Sequence, residues 1–301
     1  MTSFSYPDGK YILSESSITV LSGANALLHL QKLITSKVED SDLYRTHDSL
    51  FCHANGRIID YLKIYNFGEK ILITNNNKNG NSIRKLIQTG IPWNEEMTIT
   101  NGDNGICHYR LIGNIIDTIL KQCGINKESI VNNKFTEYGN MILTISSGKN
   151  YQILDILIPS DEEDKVLKIF KNNNIKNMEA SEWDKIRINL GIVDYFDIEN
   201  SIPFEVNMEH LVKLDKGCYP GQEIHARIES RGKINKKLVK ITTNLPLKKS
   251  KYSILRGGKI VIKSSFEQNE NNVHLGVIPI KYIEDSIIIT KDDIKFEIQQ
   301  I

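Results

Sequence analysis

The stretch on which the fold assignment depends reads Lys216-Gly217-Cys218-Tyr219-Pro220-Gly221-Gln222-Glu223 and closes with Arg227. Two glycines and a proline within five residues are incompatible with a regular helix or strand, so we predict a shaped loop. Cys218 lies at its centre and has basic neighbours on both sides: Lys216, Arg227, Arg231 and Lys233. Positive charge stabilises a thiolate, the reactive and metal-binding form of cysteine. The stretch therefore predicts a functional site, against the plainer alternative of a half-buried free cysteine in a tight turn.

Composition and charge are those of an ordinary globular protein. The chain has 301 residues, of which 40% are hydrophobic and 25% are charged, enough for two or three domains. Its 38 basic and 37 acidic residues give a net charge of +1, so no overall field attracts nucleic acid or an anionic membrane. The start has no signal-peptide pattern and no apolar run is long enough to cross a bilayer, so we expect a cytoplasmic protein.

The cysteines also favour a cytoplasmic protein. The chain has four, Cys52, Cys107, Cys123 and Cys218, and they form no CxxC pair. This spacing argues against a disulfide framework and against a zinc site built from cysteine pairs.

The first part of the chain contains one pattern twice, a strand, a glycine and a helix. The first copy covers residues 20–34 with Gly23 at the turn and Ser22 as the expected helix cap, and the second covers residues 108–123 with Gly113. Asn55-Gly56 predicts a hairpin between two further strands, 50–53 and 57–65. The order favours two similar mixed α/β units, with antiparallel sheets and helices on one side.

Beyond residue 235 the pattern changes. Short strands are predicted at residues 237–242, 259–264, 273–279 and 286–290, with polar turns between them and no helix. This is typical of a small β-barrel or sandwich domain.

The cysteine loop resembles the signature of the YgfZ family, folate-binding proteins that help to maintain iron–sulfur enzymes. That pattern is Lys-Gly-Cys, an aromatic residue, any residue, Gly-Gln-Glu and a basic residue four positions later. Every position is filled here, by Lys216, Gly217, Cys218, Tyr219, Gly221, Gln222, Glu223 and Arg227. Parts of the stretches 21–35, 55–57 and 187–207 resemble other segments of the same family.

The resemblance implies the α+β fold of the aminomethyltransferase (glycine cleavage T-protein) superfamily. That fold has two related mixed α/β, ferredoxin-like parts and a small C-terminal β-barrel, arranged around a central folate channel. On this basis residues 1–100 form the first part, to which residues 180–235 return with the cysteine loop. Residues 101–179 form the second part, and residues 236–301 form the barrel.

The resemblance also assigns residues to the folate. Glu205 matches the carboxylate that holds the pterin edge, although an isolated glutamate is usually a solvated surface residue. Arg187 and Arg227 either bind the glutamate tail of the folate or cap helices and loops. Asp60 either faces the reactive nitrogens of the folate as a catalytic group or is a surface charge on the hairpin.

In the loop, Cys218 is the candidate catalytic thiol, as a redox-sensitive nucleophile or a transient iron–sulfur ligand. One thiolate cannot hold a cluster alone, so we expect no stably bound metal. Lys216 is expected to lower the pKa of the thiol, and Gln222 and Glu223 are expected to brace the loop through backbone hydrogen bonds. Gly217 and Gly221 permit its turns.

The leading hypothesis is a tetrahydrofolate-binding accessory protein that supports iron–sulfur cluster assembly or repair, with Cys218 as its functional thiol. Expected partners are folate and iron–sulfur client or assembly proteins; nucleic acid and membrane are not expected, and the chain is expected to be a monomer. The alternative is a folate-dependent aminomethyltransferase. Those enzymes carry two consecutive acidic residues in the hairpin, where this chain has Asp60 and Tyr61, and they lack the loop cysteine. A third reading is a structural or RNA-contacting protein that retains the fold.

Overall fold

The computed structural model describes residues 4–39, 42–93, 95–267 and 272–301, and the chain forms two compact units. Unit 1 comprises Met1–Ser49 and Tyr61–Glu179, and unit 2 comprises Leu50–Asp60 and Ala180–Ile301. The described residues form a mixed α and β structure with three sheets, which confirms the predicted class. In that part of the chain no helix is long and apolar enough to cross a membrane.

The described residues of unit 1 form two of the sheets and four α-helices. Its strands are β1 (Lys10–Leu13), β2 (Ser16–Ser22), β3 (Arg45–Cys52), β4 (Ile58–Asn66), β5 (Lys70–Asn76), β6 (Thr98–Asn101), β7 (Ile106–Ile112), β8 (Phe135–Tyr138), β9 (Met141–Gly148), β10 (Tyr151–Pro159) and β11 (Lys176–Asn177). Its helices are α1 (Ala26–Gln31), α2 (Gly80–Thr89), α3 (Ile116–Gln122) and α4 (Glu163–Asn172). The hairpin that joins β3 to β4, together with the adjoining ends of both strands, is the segment Leu50–Asp60 and belongs to unit 2.

The two sheets of unit 1 repeat one strand order. The first runs β3-β4-β5-β2-β6, and the second runs β8-β9-β10-β7-β1-β11, which is the same order with β1 inserted. In each copy a glycine joins the first strand to its helix, Gly23 at φ +137° and Gly113 at φ +135°. A Cβ atom at either position would lie 2.6 Å from a backbone oxygen, so no other residue fits. The repeated pattern predicted from the sequence is therefore a repeat of structure, whereas its likeness to a ferredoxin fold stays a prediction.

The core of unit 1 is mostly apolar, and strand β10 carries a charge at its centre. That strand is buried continuously from Ile153 to Ile158, as expected for a strand covered on both faces. Its inner residues pack with those of β7, β9 and α4, including a stacked Tyr11–Phe170 pair with ring centroids 4.2 Å apart. Asp155 lies in the middle of this buried stretch of β10. A buried carboxylate is costly unless it is paired, so its partners have to be identified.

The described residues of unit 2 form three α-helices and the third sheet. The helices are α5 (Ala180–Leu190), α6 (Tyr195–Ile198) and α7 (Gln222–Arg231). The strands are β12 (Lys236–Thr243), β13 (Lys251–Ser253), β14 (Lys259–Phe266), β15 (Asn272–Pro279), β16 (Ile287–Ile289) and β17 (Lys295–Gln300), in the order β13-β14-β15-β12-β17-β16. A bridge between Ile254 and Thr290 joins the chain just beyond the two edge strands, so the sheet curls on itself. This supports the predicted small barrel.

Two local expectations need correction. Ser22 is the last residue of β2 and does not cap α1, which begins after Asn25 and has no side-chain cap, because the Gly23 turn separates strand from helix. Gln222 and Glu223, which the sequence analysis includes in the shaped loop, lie instead in the first turn of α7, and Arg227 lies in the same helix. The central channel and the division into 1–100, 101–179 and 236–301 stay predictions.

Candidate functional site

The cysteine loop lies against the Asn55-Gly56 hairpin within unit 2. Gly221, at φ +88°, precedes the first residue of α7 and ends the loop. A Cβ atom on Gly221 would lie 2.7 Å from both the Gly56 Cα and the His53 carbonyl oxygen. The two glycines therefore let two backbone segments approach more closely than any side chain would allow. The hairpin itself forms as predicted, with the His53 amide donating to the Arg57 carbonyl at 2.9 Å.

His225, in the first turn of α7, fixes this contact. Its ring is fully buried, and burial lowers its pKa, so the imidazole is neutral near pH 7. The Nε2–H donates to the Gly56 carbonyl at 2.8 Å, which leaves Nδ1 to accept from the Tyr219 hydroxyl at 3.2 Å. The loop, α7 and the hairpin are thus held by one residue that the sequence analysis missed. The sequence marks His225 only by its position, one helical turn after Gly221.

The loop has two further internal contacts. Gln222 Nε2 donates to the Leu214 carbonyl at 2.9 Å, in the bracing role predicted for it. The ammonium group of Lys216 lies 4.9 Å from the centre of the Tyr219 ring, a cation–π distance. Half-burial there lowers the pKa of Lys216 to about 8.

Cys218 differs from the other cysteines in its exposure. All four cysteines lie in the described part of the chain, and Cys218 alone is exposed. Cys52 is buried, and burial raises its pKa to about 12, while Cys107 and Cys123 are half-buried with raised pKa values for the same reason. Among the described residues no three His, Cys, Asp or Glu side chains meet as a metal site.

The two candidate carboxylates lie in different settings within unit 2. Glu205 ends a short 3₁₀ turn, Pro203–Glu205, and is half-buried. Within the described residues it accepts one weak hydrogen bond, from the Ile202 amide at 3.4 Å, so most of its acceptor capacity is unused. Asp60 lies on β4 with 1% of its surface exposed, which excludes the reading as a surface charge of the hairpin.

The two candidate arginines also differ. The Arg187 side chain is buried, with Nη1 2.7 Å from Asp197 Oδ2, Nε 2.6 Å from Asp184 Oδ1 and Nη2 2.9 Å from Ser264 Oγ. Asp197 is fully buried, so each charge compensates the desolvation of the other. Arg227 is exposed on α7.

A second polar group of residues lies in the core of unit 1, and sequence reasoning missed it. Asp155 accepts from Ser146 Oγ at 2.6 Å and from His108 Nε2 at 3.1 Å, and Lys63 Nζ lies 3.5 Å away. We call Asp155, His108, Lys63, Ser146 and Arg110 the Asp155 cluster; Arg110 Nε is 3.4 Å from the carboxylate. Burial alone would raise the pKa of Asp155, but Lys63, His108 and Arg110 hold it well below its usual range. Asp155 is therefore ionised.

Two comparisons with known proteins bear on this arrangement. The solved structure of the glycine cleavage system aminomethyltransferase T from Bartonella henselae matches with a TM-score of 0.83 at 13% identity, over 98% of this chain and 86% of that one. The tRNA-modifying protein YgfZ of Sodalis glossinidius (strain morsitans) is 21% identical over 233 residues, which cover 73% of this chain and 67% of the relative. No family model matches the chain.

The first comparison shows the class of fold, that of the glycine cleavage aminomethyltransferases. The second is more particular and confirms the resemblance to YgfZ-type proteins that the cysteine loop predicts.

Proposed function

We propose that the chain is a tetrahydrofolate-binding accessory protein of the YgfZ type that supports iron–sulfur cluster assembly or repair, with Cys218 as its functional thiol. The observation that carries the proposal is the setting of Cys218. It is the exposed cysteine of the chain, in a loop whose backbone is fixed by Gly221 and His225. An exposed thiol on a rigid loop suits a transient reaction or ligand exchange with a partner.

Glu205 is the residue that we assign to the folate. A pterin edge presents neighbouring N–H donors, and a carboxylate with spare acceptor capacity matches them. Glu205 has that spare capacity and is half-buried, where such hydrogen bonds are stronger than in open water. We assign Arg227, which is exposed, to the tail, and we assign Arg187 a structural role in unit 2.

Cys218 acts on a partner in this proposal. One thiolate supplies a single ligand, whereas clusters normally take about four. The client or assembly protein therefore supplies the remaining ligands. The name of the Sodalis relative connects that protein with tRNA modification, so enzymes that modify tRNA are the first clients to examine.

A folate-dependent aminomethyltransferase is the second candidate. The fold and the buried Asp60 favour it. Tyr61 weighs against it, because it occupies the position where the resemblance to the transferases requires a second acidic residue.

The test is calorimetric titration of tetrahydrofolate into the wild type and three variants. Glu205→Ala is expected to weaken binding by about 10-fold or more, since hydrogen bonds to a charged group contribute about 1.5–3 kcal/mol. Cys218→Ala and the control Glu209→Ala, which removes an exposed carboxylate four residues further on, are expected to bind as the wild type does.

The role of Cys218 needs a separate readout. Cells that carry only Cys218→Ala are expected to lose activity of iron–sulfur enzymes, while cells that carry Asp60→Asn retain it. The opposite pattern would favour the transferase. Absence of any binding of reduced folate to the wild type would refute the ligand half of the proposal.

A further inference from the structure

Three residues of unit 1 form a relay that the proposed function does not use. Ser16 lies on β2, His108 on β7 and Asp155 on β10. Ser16 Oγ is 2.8 Å from His108 Nδ1, and His108 Nε2 is 3.1 Å from Asp155 Oδ1. Proteins activate a serine by this arrangement, in which one nitrogen of an imidazole is hydrogen-bonded to the hydroxyl and the other to a carboxylate.

The direction of each hydrogen bond follows from the charges. Asp155 is ionised and only accepts, so His108 Nε2 must carry a proton and donate it. Burial lowers the pKa of His108, so the ring is neutral near pH 7 and Nδ1 carries no proton. Nδ1 therefore accepts from the Ser16 hydroxyl. The histidine is thus in the tautomer that a general base for Ser16 requires.

The surrounding contacts hold this geometry. The Ser14 amide donates to the His108 carbonyl at 2.8 Å, which ties the strand that carries the histidine to the segment that carries Ser16. Asp155 is fixed by Ser146 and Lys63 at its other oxygen. Asp155 and His108 are each 3% exposed, whereas Ser16 is half-buried, so the base is shielded from water and the hydroxyl is not.

We propose that Ser16 is an activated nucleophile that accepts acyl groups from activated carboxylic esters, with His108 as its general base and Asp155 as the group that orients His108. In the step, Ser16 Oγ forms a bond to the carbonyl carbon of the ester while the bond from that carbon to the leaving oxygen breaks. The serine proton passes to His108 Nδ1 and from there to the leaving alcohol. Water then releases the acyl group as a carboxylic acid and restores the hydroxyl. No oxidant, reductant or further co-reactant is consumed.

The residue next to Ser16 provides a matched control. Ser17 lies on the same strand and faces the opposite side. Its hydroxyl donates to Asp103 Oδ1 at 2.8 Å, and so has a carboxylate but no histidine as its acceptor. Ser17 is also only 1% exposed, whereas Ser16 is half-buried, so a difference between the two serines reflects exposure as well as His108, and His108→Asn separates the two causes.

The test is acetylation of the full chain by p-nitrophenyl acetate, followed as release of p-nitrophenolate and as acetyl groups located by peptide mass spectrometry. In the wild type we expect an acetyl group on Ser16 and none on Ser17. Ser16→Ala should lower the initial burst of p-nitrophenolate at least about 10-fold, and Ser17→Ala should leave it unchanged. His108→Asn should slow acylation of Ser16 by about 100-fold, the usual contribution of a general base.

Equal labelling of Ser16 and Ser17, or an unmodified Ser16 in the wild type, would overturn the proposal. The test remains decisive even where His108→Asn fails to fold. The positions of the acetyl groups on the wild type and the burst of Ser16→Ala still measure the reactivity of Ser16. We expect Ser16→Ala to fold, because Ser16 is half-buried and its truncation leaves no buried charge unpaired. Labelling of the wild type at Ser16 by an alkyl fluorophosphonate, which targets activated serines, is the expected second readout; its absence there would also count against the relay.

Discussion

At the scale of single residues, two glycines of the cysteine loop both have a positive φ and differ in their surroundings. Gly217 has φ +101° with nothing within 4 Å of an added Cβ atom, whereas a Cβ atom on Gly221 would collide with the hairpin backbone. We expect Gly217→Ala to destabilise the chain by about 1 kcal/mol, the cost of the left-handed region alone. Gly221→Ala must also separate two backbone segments, so we expect a loss of about 3 kcal/mol or more.

Urea unfolding of the two variants measures this difference. Both carry the same substitution in the same loop, so each serves as the control for the other. Equal losses of unfolding free energy would mean that the close approach to Gly56 does not constrain the loop.

At the scale of elements, the buried ion pair of Arg187 and Asp197 joins α5, α6 and, through Ser264, β14. Arg187→Met leaves the fully buried Asp197 carboxylate without its cation, so we expect a loss of about 3–5 kcal/mol in unfolding free energy. The matched control Arg227→Met removes an exposed arginine and should change stability by no more than about 0.5 kcal/mol.

A double variant and a binding measurement separate stability from ligand binding. Arg187→Met with Asp197→Leu removes both charges and should recover most of the lost stability. If Arg187→Met instead unfolds like the wild type and loses only tetrahydrofolate affinity, Arg187 binds the folate tail and the structural assignment is wrong.

The sequence predicts those elements whose signal is local. Asn55-Gly56 specifies its hairpin, and Gly23 and Gly113 mark the repeated strand-to-helix turn, because in each case neighbouring residues impose the backbone conformation. Helix α7 was missed because its apolar signal is weak: only Ile224 and Ile228 recur at helical spacing in a polar segment, and its one buried residue is His225.

The sequence also predicts only those site residues that lie in one contiguous stretch. The cysteine loop is a contiguous motif, so its residues could be named from the sequence. The Asp155 cluster could not, since His108 and Asp155 are 47 residues apart and meet only through the antiparallel register of β7 and β10. The apolar residues on both sides of Asp155 indicate a buried strand, but they do not show which residues meet its charge.

At the scale of the whole molecule, both units bury neutral histidines. Burial lowers the pKa of His108 in unit 1 and of His225 and His274 in unit 2. An unfolded histidine takes up a proton near pH 6.5, whereas these remain neutral in the folded chain until lower pH. Below pH 6.5 the unfolded state therefore binds more protons, so the free energy of unfolding falls as the pH falls.

His274 is the best defined of these groups. The Thr243 hydroxyl donates its proton to the Leu245 carbonyl at 2.6 Å, so it can only accept from His274 Nε2, 2.9 Å away. His274 Nδ1 then accepts from Ser265 Oγ at 2.9 Å. Burial accordingly lowers the pKa of His274 to about 4.

The pH dependence of stability therefore has a component that one substitution removes. Between pH 7 and pH 4, His274 should account for about 3 kcal/mol of the loss, since each unit of pKa difference corresponds to about 1.4 kcal/mol. His274→Gln keeps a polar side chain in the same place without a titrating ring, so its unfolding free energy should fall less steeply over that range.

Urea unfolding at a series of pH values compares it with the wild type and with His210→Gln, which removes an exposed histidine of the same unit. The His210 variant should follow the wild-type curve. If the His274 variant follows it as well, the folded state accepts the proton at His274 without cost, and burial does not hold the ring neutral.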